Sequence, residues 1–221
     1  MKKSTFKGSG SIQSDGIYFK EGNCVTKIYK VQGLDLVIQQ KKPSGKTVYL
    51  QHYSNPGTMT FIGIMKFLFV NKIPIPAVPK VDKNEYDAFK GGAHMMAEEF
   101  AKKKFPISYP YFHGMADGTP TATLTPKYEN GKPYLEVNVG KGQNIIITPT
   151  IARELVKNIP RLYPDKPTFR IAQEIFSKHA KKHPEQIIHG KPKYWKQLEF
   201  RFAKRVERTQ EKLKKGKMKR K

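Results

Sequence analysis

The sequence predicts an α+β protein: antiparallel β-sheet from two sheet-then-helix repeats, with packed helices and a basic helical C-terminal extension. Three observations predict it. Short runs rich in Val, Ile and Tyr alternate with turn residues in two stretches, each stretch is followed by helical apolar periodicity, and the chain ends in a dense Lys/Arg segment.

Gly16 to Phe19, Cys24 to Val31, Leu34 to Gln40 and Thr47 to Tyr53 read as strands of a β-meander, with Pro43-Ser44-Gly45-Lys46 as turn chemistry between the last two. Phe61 to Asn71 is apolar on every side, so it is a buried helix or a buried strand, and periodicity does not decide between them. Asp82-x-x-Glu85 opens an amphipathic helix running to Lys104, with Tyr86, Phe89, Ala93, Met96 and Phe100 on one face. Gly91-Gly92 inside it costs roughly 2 kcal/mol relative to alanines and marks a place for a break. Strands resume at Thr121 to Tyr128 and Pro133 to Val139, joined through Asn130-Gly131, a strong hairpin signal. Ile145-Ile146-Ile147 then leads to Thr148-Pro149, a helix cap and first-turn proline, and Ile151, Leu155, Val156 and Ile159 form one helical face that Pro160 ends. Past Pro164 the composition changes. Thr168 to Lys182 and Tyr194 to Leu213 read as two further helices, separated by Pro184 and the Gly190-Lys191-Pro192 turn.

Lys and Arg number 42 against 18 Asp and Glu, a net charge of +24, far beyond what solubility requires and suited to a polyanionic partner. Residues 191–221 hold 14 Lys/Arg and 3 Glu, a net +11, which leaves +13 for the body. The most apolar run, Phe61 to Val70, is about half the length of a bilayer span and contains Lys66, so no membrane anchor is expected. Cys24 is the sole cysteine, which suits a reducing compartment, and Met1 to Gly10 offers no apolar stretch for a signal peptide. Cytoplasmic location is the expectation.

An internal pairing stands out. Gly45-Lys46 precedes Ile73-Pro74 by the same distance as Gly131-Lys132 precedes Ile159-Pro160, an offset of 86 throughout that also matches Lys41 with Lys127 and Val70 with Val156. The second copy, from Thr121-Ala122-Thr123-Leu124-Thr125-Pro126-Lys127 through the Ile145-Ile146-Ile147-Thr148-Pro149 junction, resembles the Whirly and transcriptional-coactivator-type single-stranded-DNA-binding domains. The resemblance covers at most residues 1–163, leaving 164–221 as the basic extension. Lys7-Gly8-Ser9-Gly10-Ser11 is only weakly similar to the signature of the plant members, lacking its second lysine and its Leu. What the resemblance implies is sheets whose faces stack bases, lysines along a phosphate path, and a homo-oligomer.

Sequence-tolerant single-strand binders combine cationic grooves with aromatic platforms. With Val48 and Leu50 inward, Tyr49 and Tyr53 share the other face, and Tyr29 sits beside Lys27 on its strand. Tyr134 points outward from the strand whose inward set is Leu135, Val137 and Val139. Lys41, Lys42, Lys46, Lys127, Lys132 and Lys141 lie in or beside the hairpins, and Arg201, Lys204, Arg205 and Arg208 surround an apolar stripe in the last helix. The stripe itself, Trp195, Leu198, Phe202, Val206 and Leu213, has the spacing of a core or oligomer contact.

Catalytic patterns are weak. His179-x-x-x-His183 lacks a third ligand, Gly16-Ile17-Tyr18 resembles only the opening of a GIY-YIG nuclease, and Asp35, Asp82, Asp87, Asp117 and Asp165 form no pair at informative spacing. The expectation is a non-catalytic, cofactor-free binder of single-stranded DNA acting in replication, recombination or transcription. Single-stranded RNA is the first alternative, and a metal-dependent nuclease whose carboxylates converge only in three dimensions is the second.

Overall fold

The structure, a computed structural model, describes residues 8–13, 16–31, 36–52, 55–77, 80–110, 121–138 and 143–190. The expected α+β class holds. Strands β1 (Gly8–Gln13), β2 (Gly16–Glu21), β3 (Cys24–Tyr29), β4 (Leu36–Lys41) and β5 (Thr47–His52) pair in chain order as one antiparallel sheet. Helices α1 (Asn55–Val70) and α2 (Lys83–Lys102) follow it. A second antiparallel meander comes next, β6 (Ile107–Pro110), β7 (Thr121–Glu129), β8 (Lys132–Asn138) and β9 (Asn144–Ile147), followed by α3 (Pro149–Leu162), α4 (Pro167–Lys182) and α5 (Pro184–His189).

Each sheet is apolar on one face, and both apolar faces enter one core. Ile17, Phe19, Ile28, Ile38, Val48 and Leu50 come from the first, and Ile107, Leu124, Leu135, Val137, Ile145 and Ile147 from the second. Between them runs the all-apolar segment, which resolves as α1, with Phe61, Ile62, Ile64, Met65, Phe67 and Leu68 fully buried. Its all-round apolarity has a simple cause: it touches both sheets and every other helix. Gly63 lets it sit that close, because a Cβ there would lie 2.1 Å from the Leu124 side chain.

Several expectations need correction. α2 runs unbroken through Gly91 and Gly92, its start capped by the Asp82 carboxylate on the Asn84 and Glu85 amides. Pro160 lies inside α3 rather than ending it, because a proline in the last turn removes only one ladder bond and the helix then closes on the Tyr163 amide bonding the Ile159 carbonyl. The composition change at Pro164 marks no break in packing: Phe169, Ile171, Ile175, Phe176 and Ile187, from α4 and α5, belong to the same core as the sheets. The packed body therefore extends to Gly190, and the expected helix over 194–213 lies outside the described residues.

The two halves do repeat in outline. Gly45 and Gly131 occupy equivalent hairpin turns with φ of 80° and 73°. They differ in that β9 intervenes before α3, whereas α1 follows β5 directly, so Ile73-Pro74 falls after its helix and Ile159-Pro160 within its own.

Lys66 is the one charged side chain on the buried length of α1. Its ammonium donates to the Ala101 carbonyl at 2.7 Å and to the Lys103 carbonyl, closing the C-terminal end of α2. Burial lowers it from 10.5 to about 8. The unfolded chain then holds this proton more tightly than the folded one, so its contribution to stability is complete above 10.5 and is lost as pH falls through about 8. Wild-type stability should gain up to about 3 kcal/mol from this group across that window, and Lys66→Met should lack the gain. Urea midpoints of both proteins at about pH 7 and about pH 10.5 measure it, and parallel pH dependence would contradict the assignment. Gly63→Ala should destabilise by about 1–3 kcal/mol through collision with Leu124, read from the same midpoints.

Candidate nucleic-acid interface

Burying one face of the first sheet forces the other outward, and the strand register decides which side chains meet there. Tyr18 on β2, Lys27 on β3, Gln39 on β4 and Tyr49 on β5 form one continuous cross-strand row. One pair further along β3 lies Tyr29. On the other side of the row, Lys20, Val25, Lys41 and Thr47 form a second row, with Lys20 and Lys41 exposed. None of the residues in these rows is a carboxylate.

The Lys27 ammonium sits 4.7 Å from the ring centroids of both Tyr18 and Tyr29, so the cation lies between two aromatic faces. Tyr49 is the most open of the three rings, at 42% exposure, while Tyr18 and Tyr29 are half-buried. Two features fix Tyr29. Its carbonyl accepts a 2.8 Å bond from the buried Tyr163 hydroxyl at the end of α3, and it lies against Gly16, where a Cβ would approach the Tyr29 Cβ to 2.7 Å. Burial raises the Tyr29 hydroxyl pKa above its ordinary value, and the neighbouring Tyr49 and Tyr18 add to the rise while Lys27 opposes it.

The structure thus brings together Lys27, Tyr29, Lys41 and Tyr49 of the residues expected from sequence. It adds Tyr18 and Lys20, which the sequence reading passed over although Ile17 and Phe19 facing inward already turn both outward. Lys46 is exposed at the β4–β5 turn. Lys42 does not join this face. Its position alternates with Lys41, and it lines a cleft of about 250 Å³ with Glu21, Cys24, Gln40 and Thr148, between the first sheet and the start of α3. Its charge opposes the rise in the Cys24 thiol pKa that burial and Glu21 produce.

Lys127, Lys132 and Tyr134 belong to the other sheet. Lys127 is ion-paired with Glu136 at 2.7 Å, and Tyr134 lies opposite Lys127 on the same outer face. That carboxylate bond raises the Lys127 pKa and would compete with any phosphate. Lys132 is exposed at the hairpin tip. Tyr53, Lys141, Arg201, Lys204, Arg205 and Arg208 lie outside the described residues.

Of the carboxylates considered for catalysis, Asp35 and Asp117 lie outside the described residues. Asp82 caps α2, Asp165 bonds Lys30 at 2.6 Å, and the His179 ring lies 5.3 Å from that of His183, tilted by 47°, with its pKa lowered by burial. Among the described residues no three His, Cys, Asp or Glu side chains are grouped to hold a metal, and no helix is long and apolar enough to cross a membrane. Comparison of the chain with protein-family models, with curated proteins and with solved structures finds no match.

The tyrosine–lysine cluster makes a direct spectroscopic prediction. Lys27→Met should push the Tyr29 hydroxyl pKa further up, since the opposing charge is gone, and Tyr49→Phe should bring it down. Carbon-detected NMR titration of ring-labelled tyrosine follows both shifts. An unchanged Tyr29 titration in both variants would show that the three rings do not share one face.

Proposed function

We propose that this protein binds single-stranded DNA without transforming it, laying bases on Tyr49, Tyr18 and Tyr29 and phosphates along Lys20, Lys27 and Lys41. The observation that carries this reading is the carboxylate-free row of tyrosines and lysines on the outer face of the five-stranded sheet, in a chain of net charge +24. Every base offers a π-face, so such a platform accepts unpaired bases of any sequence, whereas a duplex hides its base faces. Lysines beside the rings add a counterion-release contribution that falls with salt. Two successive antiparallel meanders, each followed by helix, also follow the order that the resemblance to Whirly-type domains implies. Homo-oligomeric assembly and a cytoplasmic setting belong to the same reading.

The test is fluorescence anisotropy with matched single-stranded DNA, single-stranded RNA and duplex across a salt series. Single strands should bind more tightly than duplex at equal salt, and equal or better duplex affinity overturns the reading. RNA bound more tightly than DNA would transfer it to that substrate. Tyr49→Leu should cost roughly 1–3 kcal/mol of single-strand affinity with the salt slope nearly unchanged. Lys41→Gln should cost less and reduce the slope by about 1. Labelled strands incubated with Mg²⁺ or Mn²⁺ should remain intact, and cleavage would favour the nuclease alternative.

A further inference from the structure

A second surface, built of different chemistry, lies where α1 ends. There Phe69 and Val70, the segment Ile73 to Ala77, and α4 with α5 enclose a groove of about 760 Å³, the size of sites that bury a drug-sized ligand or a short peptide segment. One wall is preset. Pro74 and Pro76 keep the 73–77 segment out of regular structure, and the buried Gln173 amide on α4 donates to the Pro76 carbonyl at 3.0 Å, tying the wall to the helix opposite.

The lining is aliphatic and aromatic apart from Ser177 and two charges, Lys72 and Lys181. Both lysines are exposed, and among the described residues neither meets a carboxylate and no acidic residue lines the groove. Of the four large apolar side chains exposed in the described residues, Ile188, 52% exposed, lines the groove, and Tyr128, 67% exposed, is outside its lining but bonds Asn71, the chain neighbour of Lys72. Exposed apolar side chains clustered around a concave surface mark an interaction site.

We propose that this groove docks a short acidic peptide segment of a partner protein, with bulky apolar side chains in the cleft and carboxylates against Lys72 and Lys181. Charge and shape select that occupant. A nucleic-acid strand has phosphates for two lysines but no groups suited to an aliphatic floor, and the chain's own residues 191–221, at net +11, carry the wrong sign. The groove uses none of the residues of the tyrosine face, so its occupancy stands or falls independently of nucleic-acid binding.

Two fluorescein-labelled peptides of about twelve residues and equal charge make the test, one alternating Asp with Phe and Leu, the other alternating Asp with Ser. The full-length protein should bind the Phe/Leu peptide at least about tenfold more tightly than the Ser peptide by anisotropy. Ile188→Asp and the double variant Lys72→Glu/Lys181→Glu, all at exposed positions, should each weaken the Phe/Leu peptide by about tenfold and leave thermal unfolding and single-strand affinity unchanged. Saturating oligonucleotide should leave the peptide bound. Equal binding of the two peptides, displacement by oligonucleotide, or insensitivity to Ile188→Asp overturns the proposal, because each places the peptide on the general cationic surface. Displacement of the peptide by decanoate, with no difference between the two peptides, would assign the groove to a small anionic amphipath instead.

Discussion

One side chain holds the two sheets in register with each other. Gln40, on β4 of the first sheet and fully buried, accepts the Ile146 amide at 2.9 Å and donates to the Ile146 carbonyl at 2.7 Å, and its remaining donor reaches Thr26 at 3.1 Å. β9 is the edge strand of its sheet, and the glutamine amide stands in for the neighbouring strand it lacks. A buried amide with no partner costs about 1–3 kcal/mol, so any relative slide of the sheets is opposed at this point. The arrangement reaches the outer surface as well: Gln40 points inward between Gln39 and Lys41, which belong to the two outward rows. Fixing the one fixes the display of the others.

Charge placement complements that geometry. Much of the acidic inventory is engaged in local pairs, among them Glu136 with Lys127, Asp165 with Lys30, Glu174 with Lys178 and Glu85 with Arg170. The more exposed of these, such as Asp165 with Lys30, contribute little to stability. Their effect is to cancel charge where they lie. Where the surface is basic depends on where the acids are as much as on where the lysines are, and the two outward rows of the five-stranded sheet hold lysines and no carboxylate.

Period-two alternation made the sheet faces legible from sequence. Val48 and Leu50 are buried and Tyr49 is open, as their spacing requires, and Leu135 and Val137 face inward as expected. What alternation does not carry is the partner across the strand pair. Tyr18 meets Lys27 only through the β2–β3 register, and Glu136 reaches Lys127 only through β7–β8 pairing, so one ally and one competitor went unnoticed. Lys42 lies beside the hairpin as expected, but adjacent lysines look alike in sequence yet face opposite ways, and it lines the cleft rather than the outward row. The strands β1 and β6 escaped notice for want of apolar content: the first is Gly-Ser-Gly-Ser-Ile-Gln and the second only four residues long. α4 looked like the start of an extension because its neighbours are charged, although its buried stripe was regular enough to find the core.

The contact between Gly16 and Tyr29 bears on how variation in this protein is to be interpreted. Residue 16 has no side chain with which to touch a ligand, and yet any Cβ added there meets the Ile28 carbonyl at 2.4 Å and the base of the Tyr29 side chain. If the tyrosine face binds strands as proposed, a saturation screen scored on strand capture would rank position 16 with the tyrosines, for a reason of steric support alone. Inheritance would read the same way: a lineage that keeps the tyrosine platform must keep a hydrogen atom at residue 16, so the most telling mark of that surface is a residue that takes no part in it.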